Sequence, residues 1–239
     1  MIREAILAAA LALSALPAGA ESGTAPNLDW EVTRDPAIAA AAPKLAAFLA
    51  AETADLLHLA RDEAAEAAAR AAEDGRTPRR QVFKATEAAR AVTPRFVSVL
   101  RTTERYQGGA HGGLWFDALT WDKTTGDVIG LDLIFPPTRE GARGLEALVM
   151  ALKADLLARE GLWRESIAYS TPLDPAALGN FTLEPSTQAG RIGGIAFHYA
   201  PYELGPFALG PQTAVIPQAV FADGVAPEFQ RLFGGAPAR

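Results

Sequence analysis

The spacing of hydrophobic residues along the chain changes several times, and each spacing predicts a different element. Residues 28–33 alternate apolar and polar side chains, which predicts a short strand. Asp35 then supplies an N-cap and Pro36 a first-turn proline for a helix. Residues 44–74 are mostly Ala, Leu, Glu and Arg, with the leucines on one broad side, so they predict a long helix. Its last turns, residues 64–72, carry only alanine as apolar contact, and we expect them to be exposed.

The middle of the chain has the composition of strands. Residues 80–106 mix Val, Phe, Thr, Arg and Ser and are interrupted at Pro94, which predicts two strands that meet there. Residues 114–122 form a third candidate strand, and residues 123–127 have the composition of a turn. Together these segments predict an antiparallel meander.

The remainder of the chain adds a second helix and further strands. Residues 141–160 place leucines at helical spacing and predict an amphipathic helix. The loop-rich C-terminal third has three strand candidates, at residues 181–183, 192–199 and 213–216. This order predicts an α+β fold, with antiparallel sheet, one long N-terminal helix and one amphipathic helix near residues 141–160.

The first twenty residues have the three parts of a secretory signal peptide. Arg3 gives a charged start, residues 5–16 are apolar, and Ala18, Gly19 and Ala20 form a small-residue cleavage site. We therefore expect cleavage after Ala20, a periplasmic or secreted protein, and no membrane span after cleavage. The absence of cysteine excludes a disulfide framework and a thiolate nucleophile.

The charge balance of the chain indicates which partners suit it. With 28 acidic and 22 basic residues the formal net charge is −6. Such a chain has no basic field to attract phosphate, so nucleic acid is a poor partner. A basic protein is a better candidate partner, because its charge is opposite to that of the chain.

Three segments resemble landmarks of one bacterial extracytoplasmic family. They are residues 106–112 (Tyr-Gln-Gly-Gly-Ala-His-Gly), the turn and following apolar run at 125–135, and the Pro- and Gly-spaced residues 201–211. In order and spacing they are similar to the outer region of lysozyme-sensing anti-sigma-V factors and to the non-catalytic N-terminal region of the peptidoglycan deacetylase PdaC. The resemblance implies an α+β fold, secretion and, in one branch, lysozyme binding. It also implies two parts, a PdaC-like subdomain at 21–110 and an anti-sigma-V-like subdomain at 111–239.

Catalytic motifs are not apparent in the sequence. No sigma-binding segment, transmembrane helix or deacetylase domain of those relatives is recognisable in the chain, so neither activity is carried over. The histidines are His58, His111 and His198, without the His-x-x-x-His spacing of such a metal site. No Gly-x-Ser-x-Gly elbow surrounds a serine. We therefore expect no enzyme, no cofactor and no bound metal.

The candidate binding residues are aromatic or histidine side chains near the three landmarks. Rings of this kind stack on sugars or anchor a protein partner, although core packing is the alternative for each of them. A histidine in a glycine-flanked hairpin is also commonly held by backbone hydrogen bonds alone. The candidates are His111, Trp115, Trp121, His198, Tyr202 and Phe207.

Three hypotheses for function follow. The leading one is a non-enzymatic cell-envelope binding protein that recognises lysozyme or peptidoglycan. The second is a metal-dependent envelope hydrolase or deacetylase, in which His111 and His198 meet Asp117 or Asp122 at a zinc ion. The third is a structural accessory domain with its aromatic residues buried.

Overall fold

The strands form two sheets. The computed structural model describes residues 19–238, and in this range the larger sheet contains six strands in sequence order. They are β1 (Gly19–Ala25), β2 (Leu28–Arg34), β3 (Gln81–Val92), β4 (Phe96–Tyr106), β5 (Gly113–Asp122) and β6 (Asp127–Ile129). The smaller sheet contains β7 (Phe181–Pro185), β8 (Ile192–Tyr199) and β9 (Gln212–Pro217).

The helices include both of those predicted. They are α1 (Pro36–Ala41), α2 (Pro43–Glu73), α3 (Leu131–Ile134), α4 (Arg139–Leu157), α5 (Arg164–Ser170) and α6 (Pro227–Gln230). The α+β class, the long N-terminal helix and the amphipathic helix are confirmed. None of the helices within residues 19–238 is both long and apolar enough to cross a bilayer.

The predicted signal peptide lies almost entirely outside the described residues. Gly19 and Ala20 are described, and they begin β1, where they pair with Arg34 and Thr33 of β2. Cleavage after Ala20 therefore stays a prediction.

One pair of strands departs from the antiparallel prediction. β2 and β3 are parallel, whereas every other neighbouring pair in the two sheets of the described region is antiparallel. The cause is the connection between them, because α1 and α2 carry the chain back along the sheet before β3 begins. Asp35 starts this connection as predicted, accepting a hydrogen bond from the Ala37 N–H at 2.9 Å.

We expected the end of α2 to be exposed, and this is wrong for the side of the helix that faces the sheet. Ala64 is fully buried and Ala71 nearly so, and Ala64 belongs to an apolar cluster with Leu28 and Phe83 of the sheet. Alanine has no bulk beyond Cβ, so it lets the helix lie close to the strands. The alanine-rich composition therefore reflects close packing of α2 on β2 and β3.

The two sheets meet through β7, and this junction positions the loops at the site described below. The Leu183 N–H donates to Ser98 Oγ at 2.9 Å, and Arg90 binds Glu184 with both Nε and Nη2. Ser98 is fully buried, so the hydrogen bond crosses the interior. The predicted subdomain boundary at residue 110 falls between β4 and β5, which pair with each other. The division into two subdomains stays a prediction.

The C-terminal core depends on a close backbone approach between α4 and a later turn. A Cβ built on Gly144 would lie 2.6 Å from the Gly224 Cα, far inside van der Waals contact. We expect Gly144→Ala to lower the free energy of unfolding by about 1–3 kcal/mol, as overpacked core positions do. Urea denaturation measures this loss. Gly179→Ala is the matched control, since its Cβ meets nothing within 4 Å, and an equal loss in both variants would contradict the close-approach argument.

Candidate functional site

The loop between β4 and β5 carries His111 and is held by contacts at both ends. The Tyr106 hydroxyl donates to the Gly109 carbonyl at 3.1 Å, and Arg79 Nη1 donates to the Gly108 carbonyl at 2.9 Å. Gly108 has a φ of 86°, a conformation that residues with a Cβ rarely adopt. The glycine-rich sequence thus allows a tight loop that presents an exposed His111.

The turn after β8 carries Tyr202 in a strained conformation. The Glu203 N–H donates to the Ala200 carbonyl at 3.1 Å, and Pro201 and Tyr202 are the two central residues. Tyr202 has a φ of 76°, so the turn has the arrangement of a type II turn, which favours glycine at that position. A tyrosine there costs about 1–2 kcal/mol. Backbone strain of this kind clusters at functional sites, where the position of a side chain matters.

These two loops, 91 residues apart in sequence, bring three of the predicted residues together. The hydroxyl of Tyr202 lies 3.2 Å from His111 Nε2. The ring of Phe207 stacks on the imidazole with centroids 4.0 Å apart, and the rings of Tyr202 and Phe207 are 5.5 Å apart. We call His111, Tyr202 and Phe207 the histidine cluster.

The hydrogen bonds of His111 fix its tautomer. Nδ1 lies 3.0 Å from the Gly112 carbonyl, which can only accept, so Nδ1 carries the proton in the neutral ring. Nε2 then accepts from the Tyr202 hydroxyl. His111 is exposed and Tyr202 is 55% exposed, so solvent reaches this hydroxyl–histidine pair.

Trp115 lies on β5, two strand positions after Gly113. A Cβ on Gly113 would be 2.2 Å from the Trp115 ring, so the indole lies across that glycine. The side chain is half exposed, which leaves it free to contact a ligand. Its binding role stays a prediction.

Trp121 does not lie on the surface, which corrects its choice as a contact residue. It is 7% exposed and packs in one apolar cluster with Leu45, Leu49 and Val99. The helix pair α1 and α2 covers this part of the sheet, so the indole is a core side chain. Trp121 therefore fits the alternative of core packing and not that of a binding residue.

His198 is also buried and forms part of an internal hydrogen-bond chain. Its Nε2 lies 2.7 Å from Thr182 Oγ1, and its Nδ1 lies 3.3 Å from Thr213 Oγ1. Thr182 gives its single proton to Glu184 at 2.8 Å, so Nε2 must be the donor to Thr182 and Nδ1 the acceptor from Thr213. Burial, helped by the Arg90 charge, lowers the pKa of His198 to about 4. The imidazole is therefore neutral at neutral pH.

The predicted zinc ligands do not converge. Asp117 binds Arg101 at 3.2 Å, and the buried Asp122 accepts from Arg95 and from the Thr124 N–H. Within residues 19–238 no three His, Asp or Glu side chains gather as a metal site would require. The sequence hypothesis of a zinc site at His111 and His198 with these aspartates is therefore wrong.

Sequence reasoning missed the groups that support the cluster. The carbonyl of Gly112 orients His111, and Glu203 closes the turn that carries Tyr202. The Pro201-Tyr202 pair is a turn signal, since proline favours the second position of such turns. It could have indicated the turn but not its contact with His111.

A cavity of about 270 Å³ lies away from the cluster. It is lined by residues of β1, β2 and β3, among them Thr24, Trp30 and Lys84. None of the histidine-cluster residues lines it. Because His111 and Tyr202 are exposed, the cluster is an open surface site.

Comparison with known proteins changes the prediction about catalysis. The chain is 30% identical to a Mycobacterium tuberculosis protein named as an esterase, over 112 residues that make up 47% of this chain and 44% of that protein. The match thus spans less than half the length of the relative. The expectation that the chain is not an enzyme is contradicted by this relative.

Solved structures show what the fold is similar to. A DUF3298 family member from Bacteroides fragilis superposes with a TM-score of 0.58 at 18% identity, over 88% of this chain and 92% of that one. A DUF3298 protein from Pseudomonas aeruginosa has a TM-score of 0.49 at 18% identity, over 93% and 98% of the two chains. No family model matches the sequence. The chain therefore has a fold similar to that of the first of these proteins, and the finer resemblance to anti-sigma-V factors and PdaC stays a prediction.

The low pKa of His198 predicts a pH-dependent stability. The unfolded chain binds a proton at His198 near pH 6.5, whereas the folded chain does so only near pH 4. The stability of the neutral, hydrogen-bonded ring is thus present above pH 6.5 and is lost as pH falls towards 4, by about 3 kcal/mol at 1.4 kcal/mol per pKa unit. We expect the difference in unfolding free energy between wild type and His198→Gln to shrink by this amount from pH 7 to pH 4. Urea titrations at both pH values measure it.

The exposed His58 provides the matched control for that titration. His58→Gln makes the same substitution at a side chain that is 75% exposed and lies outside the hydrogen-bond chain of His198. Parallel pH profiles for wild type and His198→Gln would show that the buried ring does not resist protonation.

Proposed function

We propose that the chain hydrolyses carboxylic esters at the His111–Tyr202 pair. The observation that carries this proposal is the geometry of His111, a histidine whose Nδ1 is held by the Gly112 carbonyl and whose Nε2 meets an exposed hydroxyl. A hydrolytic base needs a fixed tautomer, an oriented ring and access to solvent. The other hydroxyl–histidine contacts found in residues 19–238 are those of His198, which is buried with both of its ring nitrogens engaged by threonine hydroxyls.

The proposed reaction uses water as the nucleophile. An ester carbonyl takes the place of His111 as acceptor of the Tyr202 hydroxyl proton, which frees His111 Nε2 to bind a water molecule. As the water oxygen attacks the carbonyl carbon, its proton passes to Nε2, and the oxyanion accepts from Tyr202. When the intermediate collapses, the C–O bond to the alcohol breaks. The alcohol oxygen takes the proton from Nε2, leaving a carboxylic acid and a free alcohol.

The other two groups at the site hold the imidazole during this cycle. The Gly112 carbonyl accepts from Nδ1 in the place that a carboxylate occupies in a serine hydrolase triad. Phe207 covers one face of the ring, which limits its rotation. The relative that is named as an esterase supports the same reaction class.

Hydrolysis of a chromogenic ester tests this proposal. We expect the purified protein to release p-nitrophenol from p-nitrophenyl acetate. His111→Ala should remove this activity because it removes the base. Tyr202→Phe should lower kcat by about 10²-fold, since it removes one oxyanion donor and keeps the ring. Absorbance of the released phenolate measures both rates.

A surface histidine remote from the cluster controls for simple imidazole reactivity. His58 lies on α2 with its side chain 75% exposed, so His58→Ala should retain the wild-type rate. Equal rates for wild type and His111→Ala would rule out the proposed base.

Peptidoglycan is a substrate class that the exposed rings of the site support. Tyr202 is 55% exposed and its ring lies 5.5 Å from that of Phe207. Trp115, on the strand that follows the His111 loop, is 50% exposed. Aromatic faces of this kind stack on sugars. An open surface site also suits a polymer better than a small enclosed ligand. We therefore propose ester groups of the cell-wall glycan as the substrate, and the predicted signal peptide supports an activity in the periplasm.

Sedimentation with insoluble peptidoglycan measures this binding. Tyr202→Ala and Phe207→Ala should each reduce the fraction of protein that pellets by several-fold. Tyr169, 89% exposed on α5, offers a matched control, and Tyr169→Ala should pellet as wild type does. Identical pelleting of all variants would show that the glycan is not held at the cluster.

The net charge of −6 supports a second partner, a basic protein such as lysozyme. Calorimetric titration with lysozyme at low and high salt separates docking from charge attraction, because salt screens exposed charges. Heat that disappears at high salt would indicate charge attraction alone.

A further inference from the structure

The turn that carries Tyr202 is closed by a side chain as well as by the backbone. The Ala200 N–H donates to Glu203 Oε2 at 2.9 Å, while the Glu203 N–H donates to the Ala200 carbonyl at 3.1 Å. The same two residues are thus joined by a pair of hydrogen bonds around Pro201 and Tyr202. A simple type II turn has only the second of these bonds.

The two hydrogen bonds hold the turn against the unfavourable backbone conformation of Tyr202. Its φ of 76° is unfavourable for a residue with a Cβ, so a turn closed by one bond would relax more readily. Relaxation would move the phenol away from His111, because the hydroxyl contact of 3.2 Å depends on the direction in which the turn projects the ring. A second bond at the turn opposes that movement.

The side chain of Glu203 is exposed to solvent overall, and its hydrogen bond to the Ala200 N–H ties the carboxyl to the turn. Burial raises the pKa of Glu203, and the Ala200 N–H opposes that shift. The nearby Tyr199 is 7% exposed, and burial together with the Glu203 charge raises the pKa of its phenol, with Arg159 acting in the opposite direction. The carboxyl of Glu203 thus lies close enough to the end of β8 for its charge to act on Tyr199.

We infer that Glu203 is a positioning residue, which holds Tyr202 in contact with His111 through its hydrogen bond to the Ala200 N–H. The inference rests on the proposed function for its catalytic consequence, but the positioning itself is a property of the turn. Glu203 does not touch His111 in this structure; it acts through Tyr202. Its role therefore needs a measurement of the cluster's geometry as well as of the rate.

Histidine NMR provides that measurement, because the chain has three histidines in three different settings. The Nε2 atom of His111 accepts from the Tyr202 hydroxyl, so its ¹⁵N signal reports that hydrogen bond directly. His58 is exposed and reports an unstacked ring, and His198 is buried and reports the fold. Spectra of the full chain with ¹³C- and ¹⁵N-labelled histidine are recorded for wild type, Glu203→Ala and Glu203→Gln.

We expect Glu203→Ala to move the His111 signals towards those of His58 while the His198 signals stay in place. Glu203→Gln keeps an oxygen acceptor for the Ala200 N–H, so it should restore the wild-type His111 signals. Glu165→Gln, at an exposed glutamate of α5, is the matched control and should change nothing. Unchanged His111 signals in Glu203→Ala would overturn the inference, as would a shift that Glu203→Gln fails to reverse.

Ester hydrolysis by the same variants separates this inference from the proposed function. If Glu203 positions a catalytic pair, Glu203→Ala should lower kcat about tenfold and Glu203→Gln should retain most of it. Displaced His111 signals with no hydrolysis in any protein, wild type included, would support positioning and remove the esterase proposal. Full activity in Glu203→Ala with displaced signals would show that the reaction does not need Tyr202 to be held beside His111, and would overturn the catalytic consequence.

Discussion

The contact between the two sheets is the constraint on which the site depends. Ser98 accepts the Leu183 N–H in the interior, and Arg90 holds Glu184 beside it. Because Ser98 and Glu184 are buried, losing the partner of either would leave a buried polar group unsatisfied, at a cost of about 1–3 kcal/mol. They fix β7 and β8 against the larger sheet. The loops that carry His111 and Tyr202 belong to different sheets, so their contact requires this junction.

Much of the fold follows from the sequence, and the exceptions have physical causes. The spacing of hydrophobic residues changes near Pro94 and again before α4. These changes predicted the meander and the amphipathic helix, because strands and amphipathic helices each have a clear local pattern. The parallel pairing of β2 and β3 has no local signal, since it depends on how the long helix returns the chain. The burial of Ala64 was also missed, because alanine composition alone does not reveal what lies beneath a helix.

The site could be predicted only in part. The glycines around His111 and the proline before Tyr202 identified both loops, but the contact between them is set by the tertiary structure. Trp121 and His198 were chosen for the same residue types and lie in the interior, so an aromatic or histidine near a landmark does not by itself indicate exposure. His111 differs from His198 in its access to water and in the hydrogen-bond partners of its ring nitrogens.

The long excursion between β2 and β3 has a consequence for the order of folding. β1 with β2, and β3 with β4 and β5, are hairpins that close over short loops, whereas the pairing of β2 with β3 joins residues about fifty positions apart. Closing a long loop costs more chain entropy than closing a hairpin. Local hairpins are therefore favoured as early structures, and the parallel pairing of β2 with β3, which has to close the long connection, is favoured to form later.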